Sequence, residues 1–600
     1  MPLIDQIRET KLIELAKSRF NPDLSEAELK VMHDSASSEV LPEPDEKAPR
    51  PEVRADFLRW LAIDTEAAQH IDPKGLRVYT ATIQGKLDLR ECHVHPTLDF
   101  HRCDFQEEIN LLSAETRGLF FFDSSMVKGL AADRVIVHGP LFLKRIESEG
   151  TIRLLGARIE RDLYCIGTKL KNKGYALSAD HVQIGGSVLL TDGFESMGAI
   201  RLLGAEITGQ FDCSSAKLKD RDKALSMDGA QIGGNVFLNN GFESEGEIRL
   251  NGAEITGQLI CSGAKLKAKG VALNADSMKI GNSIFLTDNF ETEGAILLHV
   301  SEIGGNLLFQ GAKVAKVICQ NTVIKGDMYW QYIEKSKDIY LNLIGARVKN
   351  LRDDKKSWPE EGNLELDGLV YEELTLNEST SVEAIKANLF SRELPLVAKE
   401  RIAWIMLQKP ERRTEPQPWM QLRDLLERKG DRKGAKYVLR RFRCLQAQKS
   451  WIPWRWLRMA FAWLEENPLR IGYSIALTLL IGTSIFTLGG SKQAMIETVR
   501  YQPNAITDNG GVKLVSSLYP KYQPFVYTLE NAVPLIKLGM DEKWAPNPSP
   551  EFRQPWYPRI HFLYFLSDYG WLNFWRWALI VGGWVQATIF AAAVADRFRK

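Results

Sequence analysis

Apolar residues in the middle of the chain recur as pairs two positions apart, and a new pair begins every five or six residues. The pattern is clear in Ile200 with Leu202, Ala205 with Ile207, and Phe211 with Cys213. A spacing of two places both side chains on one face of a β-strand, because successive side chains point to opposite sides. Helical spacing is absent and glycine is frequent, so the pattern predicts short strands with a corner after each pair.

The pattern repeats with a constant long period. Blocks that begin at Gly150, Gly198 and Gly246 are equally spaced and align without gaps, and a block from Gly294 follows the same frame. Eight short faces in one period make two four-sided coils, each of which buries its inward residues against its neighbours. The predicted fold class is mainly β: a right-handed, four-sided β-helix solenoid, followed by an α-helical neck and two transmembrane helices.

Helices are predicted on both sides of the solenoid, which covers residues 73–375. The first fifty residues read as one helix and an acidic linker, and Phe57, Leu58 and Leu61 fall at the spacing of a helix that caps the open end. These segments make up an N-terminal region of helices and cap, residues 1–72. The neck, residues 376–468, contains a helical hairpin that turns at Gly430.

The neck ends in a segment that mixes aromatic and basic residues, which is typical of a helix lying in the lipid headgroup region. The alternative is a tryptophan-rich helix that packs on the hairpin. The predicted membrane-interface residues are Trp451, Trp454, Trp456, Arg455 and Arg458.

Two uncharged stretches, Ile471 to Gly490 and Trp577 to Ala595, are long enough to cross a ~30 Å hydrocarbon layer. They define a two-span membrane domain over residues 469–600. Basic residues precede the first stretch and end the chain, so the positive-inside rule places both termini in the cytoplasm.

The connection between the two stretches contains a re-entrant-like segment. Phe525, Leu529, Val533 and Ile536 form an apolar helical stripe that is followed by a turn. A span, a short amphipathic helix with a turn and a second span are the layout of pore-loop channels. The pore-like residues of this segment are Tyr527, Glu530, Pro534, Lys537 and Gly539.

Two resemblances follow from these motifs. The words GAEI, GAKL and DGAQI resemble pentapeptide-repeat proteins, and the C-terminal half resembles bacterial membrane-anchored pentapeptide-repeat-like proteins with a two-span, pore-loop-like domain. The second resemblance rests on Gln417-Pro418-Trp419, Tyr527-Thr528-Leu529-Glu530, Pro534-Leu535, Leu538-Gly539 and Gly583-Trp584. Such proteins are sometimes labelled membrane-associated oxidoreductases. This chain departs from the pattern with Glu530, where Asp is usual, and with Lys537, which would oppose a simple cation filter.

Composition narrows the classes of partner. Lys and Arg number 77 against 76 Asp and Glu, so no global field favours nucleic acid. The N-terminus lacks the apolar region of a secretory signal. The 7 cysteines are an odd number without compact spacing, which favours a reducing compartment.

Few residues in the sequence suggest catalysis or metal binding. Cys92, His93, His95, His101 and Cys103 form the only metal-like cluster in the sequence, and packing in the solenoid is the favoured interpretation over a zinc site.

The cysteines of the repeat and the surface acids are the other candidates. Two coils separate the repeated cysteines, roughly 9–10 Å, which is too far for a disulfide. The acids either bind a cation or partner or form a solvated edge. The cysteines are Cys165, Cys213 and Cys261, and the acids are Glu195, Glu243 and Glu291.

The sequence favours a non-enzymatic protein of the bacterial inner membrane, in which a cytosolic β-helix recognition or scaffold domain is coupled to a two-span membrane module. No nucleotide-binding or nucleophile motif is present, and no cofactor or metal is predicted. The expected partners are the lipid bilayer, an unknown protein on the β-helix and a possible homo-oligomer. The alternatives are an oligomeric ion-channel-like pore gated by the β-helix, and a membrane-associated oxidoreductase.

Overall fold

The computed structural model describes residues 2–20, 24–41, 49–122, 125–334, 336–377, 393–394, 397–448, 468–488, 494–498, 520–553 and 567–598. The chain forms two compact units, Met1–Leu439 and Arg440–Lys600.

The first unit is a parallel β-solenoid of about 13 turns followed by helices, which confirms the predicted solenoid. A typical turn contributes four short strands, and these strands pair in parallel with the strands of the adjacent turns. Glu147 lies opposite Lys169, and Lys169 lies opposite Glu195. Because the step from Glu147 to Lys169 is shorter than the step from Lys169 to Glu195, a shorter turn is followed by a longer one. The step from Glu147 to Glu195 equals the step from Gly156 to Gly204, so one period of the sequence is two turns.

The strands stack into four faces, named here in chain order within a turn. The first face contains Glu52–Arg54, Thr82–Gln84, Asp104–Phe105, Met126–Val127, Glu147–Ser148, Lys169–Leu170, Glu195–Ser196, Lys217–Leu218, Glu243–Ser244, Lys265–Leu266 and Glu291–Thr292. The second face contains Ile109–Asn110, Leu130–Ala131, Ile152–Arg153, Tyr175–Ser178, Ala199–Arg201, Leu225–Ser226, Ile248–Arg249, Val271–Asn274, Ala295–Leu297, Lys316–Ile318, Tyr340–Asn342 and Leu364–Glu365.

The third and fourth faces join into one large sheet. The third face contains His93–Val94, Glu115–Thr116, Ile136–Val137, Arg158–Ile159, Gln183–Ile184, Glu206–Ile207, Gln231–Ile232, Glu254–Ile255, Lys279–Ile280 and Glu302–Ile303. The fourth face contains Leu76–Tyr79, Leu98–His101, Leu119–Phe122, Leu141–Lys144, Leu163–Tyr164, Val188–Leu189, Phe211–Asp212, Val236–Phe237, Leu259–Ile260, Ile284–Phe285 and Leu307–Leu308. Three longer strands run through both faces: Val323–Trp330, Arg347–Asp353 and Val370–Asn377.

A left-handed backbone conformation makes the corner between the second and third faces. Gly204 adopts φ +60° there, and His181 in the preceding turn adopts φ +56°. Glycine reaches this region without the steric cost that a Cβ atom carries, which explains why it recurs at this corner.

The inward residues of all four faces fill the interior, and the repeated cysteines lie among them. Leu190 and Leu238 lie between Cys165, Cys213 and Cys261 and, like these cysteines, are buried.

The N-terminal cap contains two helices in the first fifty residues, so the prediction of a single helix there is wrong. Leu3–Phe20 and Glu26–Ala36 are separate because Ser25 and Glu28 form a capping box that starts the second helix. The next helices are Ala55–Ile63 and Thr65–Gln69. The residues at helical spacing in Ala55–Ile63 are buried as expected: Phe57, Leu58 and Leu61.

The C-terminal cap satisfies the backbone groups that the last turn presents without a following strand. The side-chain amide of Gln417 accepts from the N–H of Gly368 at 3.0 Å and donates to the carbonyl of Leu369 at 2.7 Å. Gln421 donates to the carbonyl of Tyr371 at 2.8 Å. An open sheet edge favours unwanted strand pairing, and glutamine amides mimic the missing strand here. The Gln417 motif of the sequence thus has a structural role in closing the solenoid.

A buried ion pair fixes the same cap. Arg401 donates through both terminal nitrogens to Asp353, at 2.7 Å each, and the two side chains are 1 % and 2 % exposed. The indole N–H of Trp358 donates to the same carboxylate at 2.9 Å. The cap is therefore held by a charged contact that is shielded from water.

The helices of this region are Ala398–Ile405, Pro416–Arg428 and Arg432–Gln448. Gly430, at φ +81°, lies in the short connection between the last two, where the sequence predicts the turn of a hairpin. Short 3₁₀ turns lie at Ser336–Asp338, Lys355–Ser357 and Arg412–Thr414.

Three helices pack on one another in the second unit: Pro468–Leu488 (the Pro468 helix), Pro524–Ala532 (the Pro524 helix) and Asp568–Phe598 (the Asp568 helix). Short helices Met540–Lys543 and Pro550–Arg553 follow the Pro524 helix. Strand Met495–Glu497 pairs antiparallel with Trp544–Pro546. Among the residues with a described placement, no helix combines the length and the apolar character that crossing a bilayer requires.

Candidate functional site

Charged side chains that pair from turn to turn cover the outer surface of the first face. Glu195 lies opposite Lys217, and Lys217 lies opposite Glu243, so a lysine separates the acids instead of their stacking directly. Lys219 donates to Glu195 and Lys267 donates to Glu243, each at 2.8 Å. These hydrogen bonds hold the pKa of both carboxyls below the usual value. Lysines of the solenoid itself therefore neutralise these acids. This favours the solvated edge over a site for a cation or a partner.

Acid–base pairs also recur on the second face. Arg201 donates to Asp180 at 2.5 Å, and the same carboxylate accepts from the N–H of Leu203 at 3.0 Å. Arg249 and Asp228 repeat this arrangement one period later, with a 2.6 Å bond. The charges of this face tie each turn to the next.

The third face carries exposed polar and charged residues. They include Arg158, Gln183, Glu206, Gln231, Glu254, Lys279 and Glu302.

The outer surface of the fourth face is apolar, in contrast to the other three. Its outward positions form a column, partly exposed, with fully buried residues on both sides along each strand. The column runs through ten consecutive strands: Phe120, Phe142, Tyr164, Leu189, Asp212, Phe237, Ile260, Phe285, Leu308 and Tyr329. We call this set the apolar column.

Aromatic contacts and hydrogen bonds order the apolar column. Phe142 stacks on Tyr164 with ring centroids 4.4 Å apart and planes 5° from parallel. Phe120 meets Phe142 edge to face at 5.1 Å. The one acid of the column, Asp212, accepts from the N–H of Ser214 at 2.8 Å and from its hydroxyl. These contacts fix the side chains of Phe120, Phe142, Tyr164 and Asp212 relative to their neighbours.

Uncharged polar residues border the apolar column on both sides over six turns. Several of their side chains bond to the adjacent turn: Asn235 accepts from the N–H of Gln258 at 2.9 Å, and the hydroxyls of Ser262 and Thr287 lie 2.8 Å apart. The two borders consist of Ser187, Gln210, Asn235, Gln258, Ser283 and Asn306 on one side, and Thr191, Ser214, Asn239, Ser262, Thr287 and Gln310 on the other. An apolar strip with a polar rim is the layout of a protein-binding surface.

The sequence contains a signal for this surface that periodicity alone misses. Val236 and Leu238 are the inward pair of one strand, and Phe237 between them is also apolar. Equivalent triplets stand at 188–190, 259–261, 284–286, 307–309 and 328–330. Three consecutive apolar residues at this position of most turns, interrupted at Asp212, indicate a strand that is apolar on both sides.

The helices of the second unit expose large apolar side chains. Leu480 of the Pro468 helix is 66 % exposed, and Trp577 of the Asp568 helix is 62 % exposed. The exposed set recurs at helical spacing: Tyr473, Leu477, Leu480 and Leu488 on one helix, and Phe574, Trp577, Val581, Trp584 and Phe590 on the other. An open groove of about 680 Å³ lies between the Pro468 helix and Phe525.

Two glycines let the three helices approach closely. A Cβ atom on Gly482 would lie 2.4 Å from the Thr528 methyl group, and one on Gly583 would lie 2.0 Å from the Ala532 carbonyl oxygen. The Gly583-Trp584 motif therefore marks the point where the Asp568 helix meets the end of the Pro524 helix.

Glu530 organises the turn that follows the Pro524 helix. One carboxylate oxygen accepts from the N–H groups of Leu538 and Gly539 at 2.8 and 2.6 Å. The other accepts from Met540 and Asp541 at 2.7 and 3.0 Å. The carboxylate thus caps the helix Met540–Lys543 from outside it.

The remaining residues of the predicted pore-like segment are dispersed. Tyr527 is fully buried and meets Phe486 edge to face at 5.0 Å, whereas Lys537 is exposed. Pro534 is partly buried, and Gly539 adopts φ +77° in the turn that Glu530 holds. A hydrogen bond of 2.6 Å joins the N–H of Gly539 to Glu530. The predicted membrane-interface residues Trp451, Trp454, Trp456, Arg455 and Arg458 lie outside the described residues.

The candidate metal ligands do not converge. His93 faces Glu115 at 3.4 Å, His101 pairs with Asp99 at 3.0 Å, and Cys103 is buried in the interior. Within the described ranges, no three His, Cys, Asp or Glu side chains come together as metal ligands would.

The repeated cysteines lie in the interior as free thiols. Burial raises the pKa of Cys165 and of Cys261 to about 12, so both thiols stay protonated at neutral pH. They act as small apolar core residues.

Comparison with protein-family models, with curated proteins and with solved structures gives no match to this chain.

Proposed function

We propose that this chain is a non-enzymatic recognition protein of the bacterial inner membrane. Its solenoid binds a protein partner through the apolar column, and its second unit attaches to the bilayer. One observation carries the recognition part: the outward residue of the fourth face is apolar in nine of ten strands, with Asp212 as the exception, whereas the other three faces carry charged and polar residues. Contiguous apolar side chains that stay partly exposed at a protein surface can mark sites of binding.

The membrane part of the proposal rests on the second unit. A helix with apolar residues on all sides is normally covered by protein or by lipid. The Pro468 helix buries Phe486 inward yet exposes Leu480 outward, and the Asp568 helix buries Leu579 and exposes Trp577. Lipid around the outward faces would explain both sets of residues. The proposal includes the two spans predicted from the sequence, with both termini in the cytoplasm.

Fractionation of cells that express the full chain tests the membrane part. We expect the protein in the membrane pellet after alkaline washing and its release by detergent. A variant with Leu480→Asp and Val581→Asp should move to the wash. The matched control places aspartate at the exposed positions Gln183 and Gln231 on the third face and should stay in the pellet. Recovery of the unmodified chain in the aqueous fraction without detergent would contradict the membrane assignment.

An oligomeric pore is the second candidate. The observation in its favour is the packing of the short Pro524 helix between two longer helices, with a backbone turn closed by Glu530 at its end. Two spans from one chain do not enclose an aqueous path, so this function requires several copies. Ion flux across liposomes that contain the purified oligomer tests it. A monomer in nanodiscs, or oligomers that conduct no ions, would count against it.

A further inference from the structure

We infer that the open groove between the Pro468 helix and Phe525 holds an acyl chain of a bilayer phospholipid. Because the second unit is proposed to attach to the bilayer, this binding site rests on the proposed function and specifies what the unit retains from the membrane. Three properties of the groove point to this occupant: its lining, its dimensions and its fixed walls.

The lining of the groove suits a hydrocarbon chain. Each of its residues is uncharged, and three large apolar side chains among them are more than half exposed: Leu480, Leu488 and Phe525. The hydroxyls of Ser484 and Thr487 each donate to the carbonyl four residues earlier, at 2.8 and 2.6 Å. A chain without polar atoms can therefore lie over these two residues and leave neither donor unpaired.

The dimensions of the groove match a lipid chain better than a helix. From Ala476 to Leu488 it follows the Pro468 helix for ~18 Å, close to the ~15 Å of one leaflet, which is half of a ~30 Å hydrocarbon layer. The volume of about 680 Å³ over this length gives a mean cross-section of ~38 Å².

That cross-section excludes a helix as the bound element. An α-helix with its side chains is at least ~10 Å across, which is a cross-section of ~80 Å². A hydrocarbon chain fits, since its carbon atoms pack at ~4 Å from their neighbours. The groove is therefore too narrow to seat a helix of a second copy, whereas it accommodates the chain of a lipid.

Contacts behind the groove hold its two walls together. Tyr527 meets Phe486 edge to face at 5.0 Å, and the hydroxyl of Tyr522 donates to the carbonyl of Phe486 at 3.4 Å. These contacts fix the start of the Pro524 helix, and Phe525 with it, relative to the Pro468 helix. A groove with fixed walls loses little conformational freedom when it binds, which favours a retained lipid over one that exchanges freely.

Native mass spectrometry of the full chain, purified from bacterial membranes in a mild detergent, measures the retained lipid. Ser484→Trp and Thr487→Phe each fill the groove with an aromatic side chain. Ile481→Trp places an indole on the same helix at an exposed position outside the groove and is the matched control. We expect bound phospholipid on the unmodified chain and on I481W, and at least tenfold less of it on S484W and T487F. All four proteins should remain in the membrane pellet after alkaline washing and show the same helix content by circular dichroism.

A second readout identifies what lies in the groove. A photo-cross-linking phenylalanine analogue at position 525 should join the chain to a phospholipid and add the mass of that lipid. A cross-link to a second copy or to another protein would overturn the inference, because a polypeptide would then cover the groove. Phospholipid that is absent from the unmodified chain, or that S484W and T487F retain equally, would also overturn it. In each of these outcomes the chain stays in the pellet and the membrane part of the proposed function stands, whereas a chain missing from the pellet would overturn both.

Discussion

The buried pair of Arg401 and Asp353 gives the sharpest test of how the solenoid is closed. Asp353→Asn keeps the size of the side chain but removes the charge that balances the guanidinium of Arg401. Both side chains are almost fully buried, and both N–H to O distances are 2.7 Å. Removal of one partner from a buried ion pair costs about 3–5 kcal/mol, because the other charge is left without compensation.

The free-energy cost should appear locally. A solenoid gains its stability from each turn and its neighbours, so loss of the cap should open the last turns first. A cost of about 3 kcal/mol corresponds to roughly 100-fold faster hydrogen exchange, since about 1.4 kcal/mol is a factor of ten. We expect this change in strands Arg347–Asp353 and Val370–Asn377. The central strand Glu254–Ile255 should be unaffected.

Hydrogen-exchange mass spectrometry of the full chain measures both regions in one experiment. The control is the double variant Asp353→Leu with Arg401→Met, which replaces the pair by apolar groups and should recover most of the protection. Unchanged exchange at the last turns in D353N would refute the reasoning. An equal loss of protection along the whole solenoid would refute the local character of the effect.

Three further predictions concern other contacts. Gln417→Ala removes two hydrogen bonds from the last turn and should cost about 1–3 kcal/mol, measured as faster exchange at Gly368. Glu530→Ala leaves four N–H groups without their acceptor and should cost at least about 3 kcal/mol, measured as protease cleavage after Lys537 at lower protease concentrations. Glu115 and Glu160 hold the pKa of His138 above its usual 6.5 through hydrogen bonds, so NMR titration should give a raised value that Glu115→Gln lowers. Because the pKa is raised by folding, these pairs stabilise the fold below pH 6.5 and lose their effect as the pH rises through the folded value.

A different result would contradict each of these three predictions. Equal exchange in Q417A would mean that the glutamine does not close the sheet, and unchanged proteolysis of E530A would mean that other contacts hold the turn. A His138 pKa at or below its usual value would mean that the carboxylates do not bond to the ring in solution.

The solenoid could be predicted from the sequence because its period is strict. Gly156, Gly204 and Gly252 stand at equal intervals, and the inward pairs such as Ile200 with Leu202 are unbroken. The start of the second N-terminal helix is also encoded locally, by the capping box of Ser25 and Glu28.

The apolar column was harder to predict because its residues alternate along each strand with the inward residues that define the fold. Phe237 and Phe285 are apolar neighbours of inward residues, and apolar neighbours alone do not show which of them faces outward. The role of Glu530 depends on a turn eight to eleven residues later in the chain, which no local pattern specifies. Long-range hydrogen bonds of this kind become visible only in three dimensions.

The alternation of charge along the first face restricts how a gene for such a rod can change length. Glu195, Lys217, Glu243 and Lys265 lie in successive turns, and longer turns alternate with shorter ones. Deletion of a single turn would bring Glu195 against Glu243, and like charges that lie directly opposite each other on neighbouring strands are destabilising. Deletion or duplication of two turns restores every pair. Recombination that preserves the fold should therefore add or remove codons for two whole turns at a time, and related rods should differ in length by steps of ~9.6 Å.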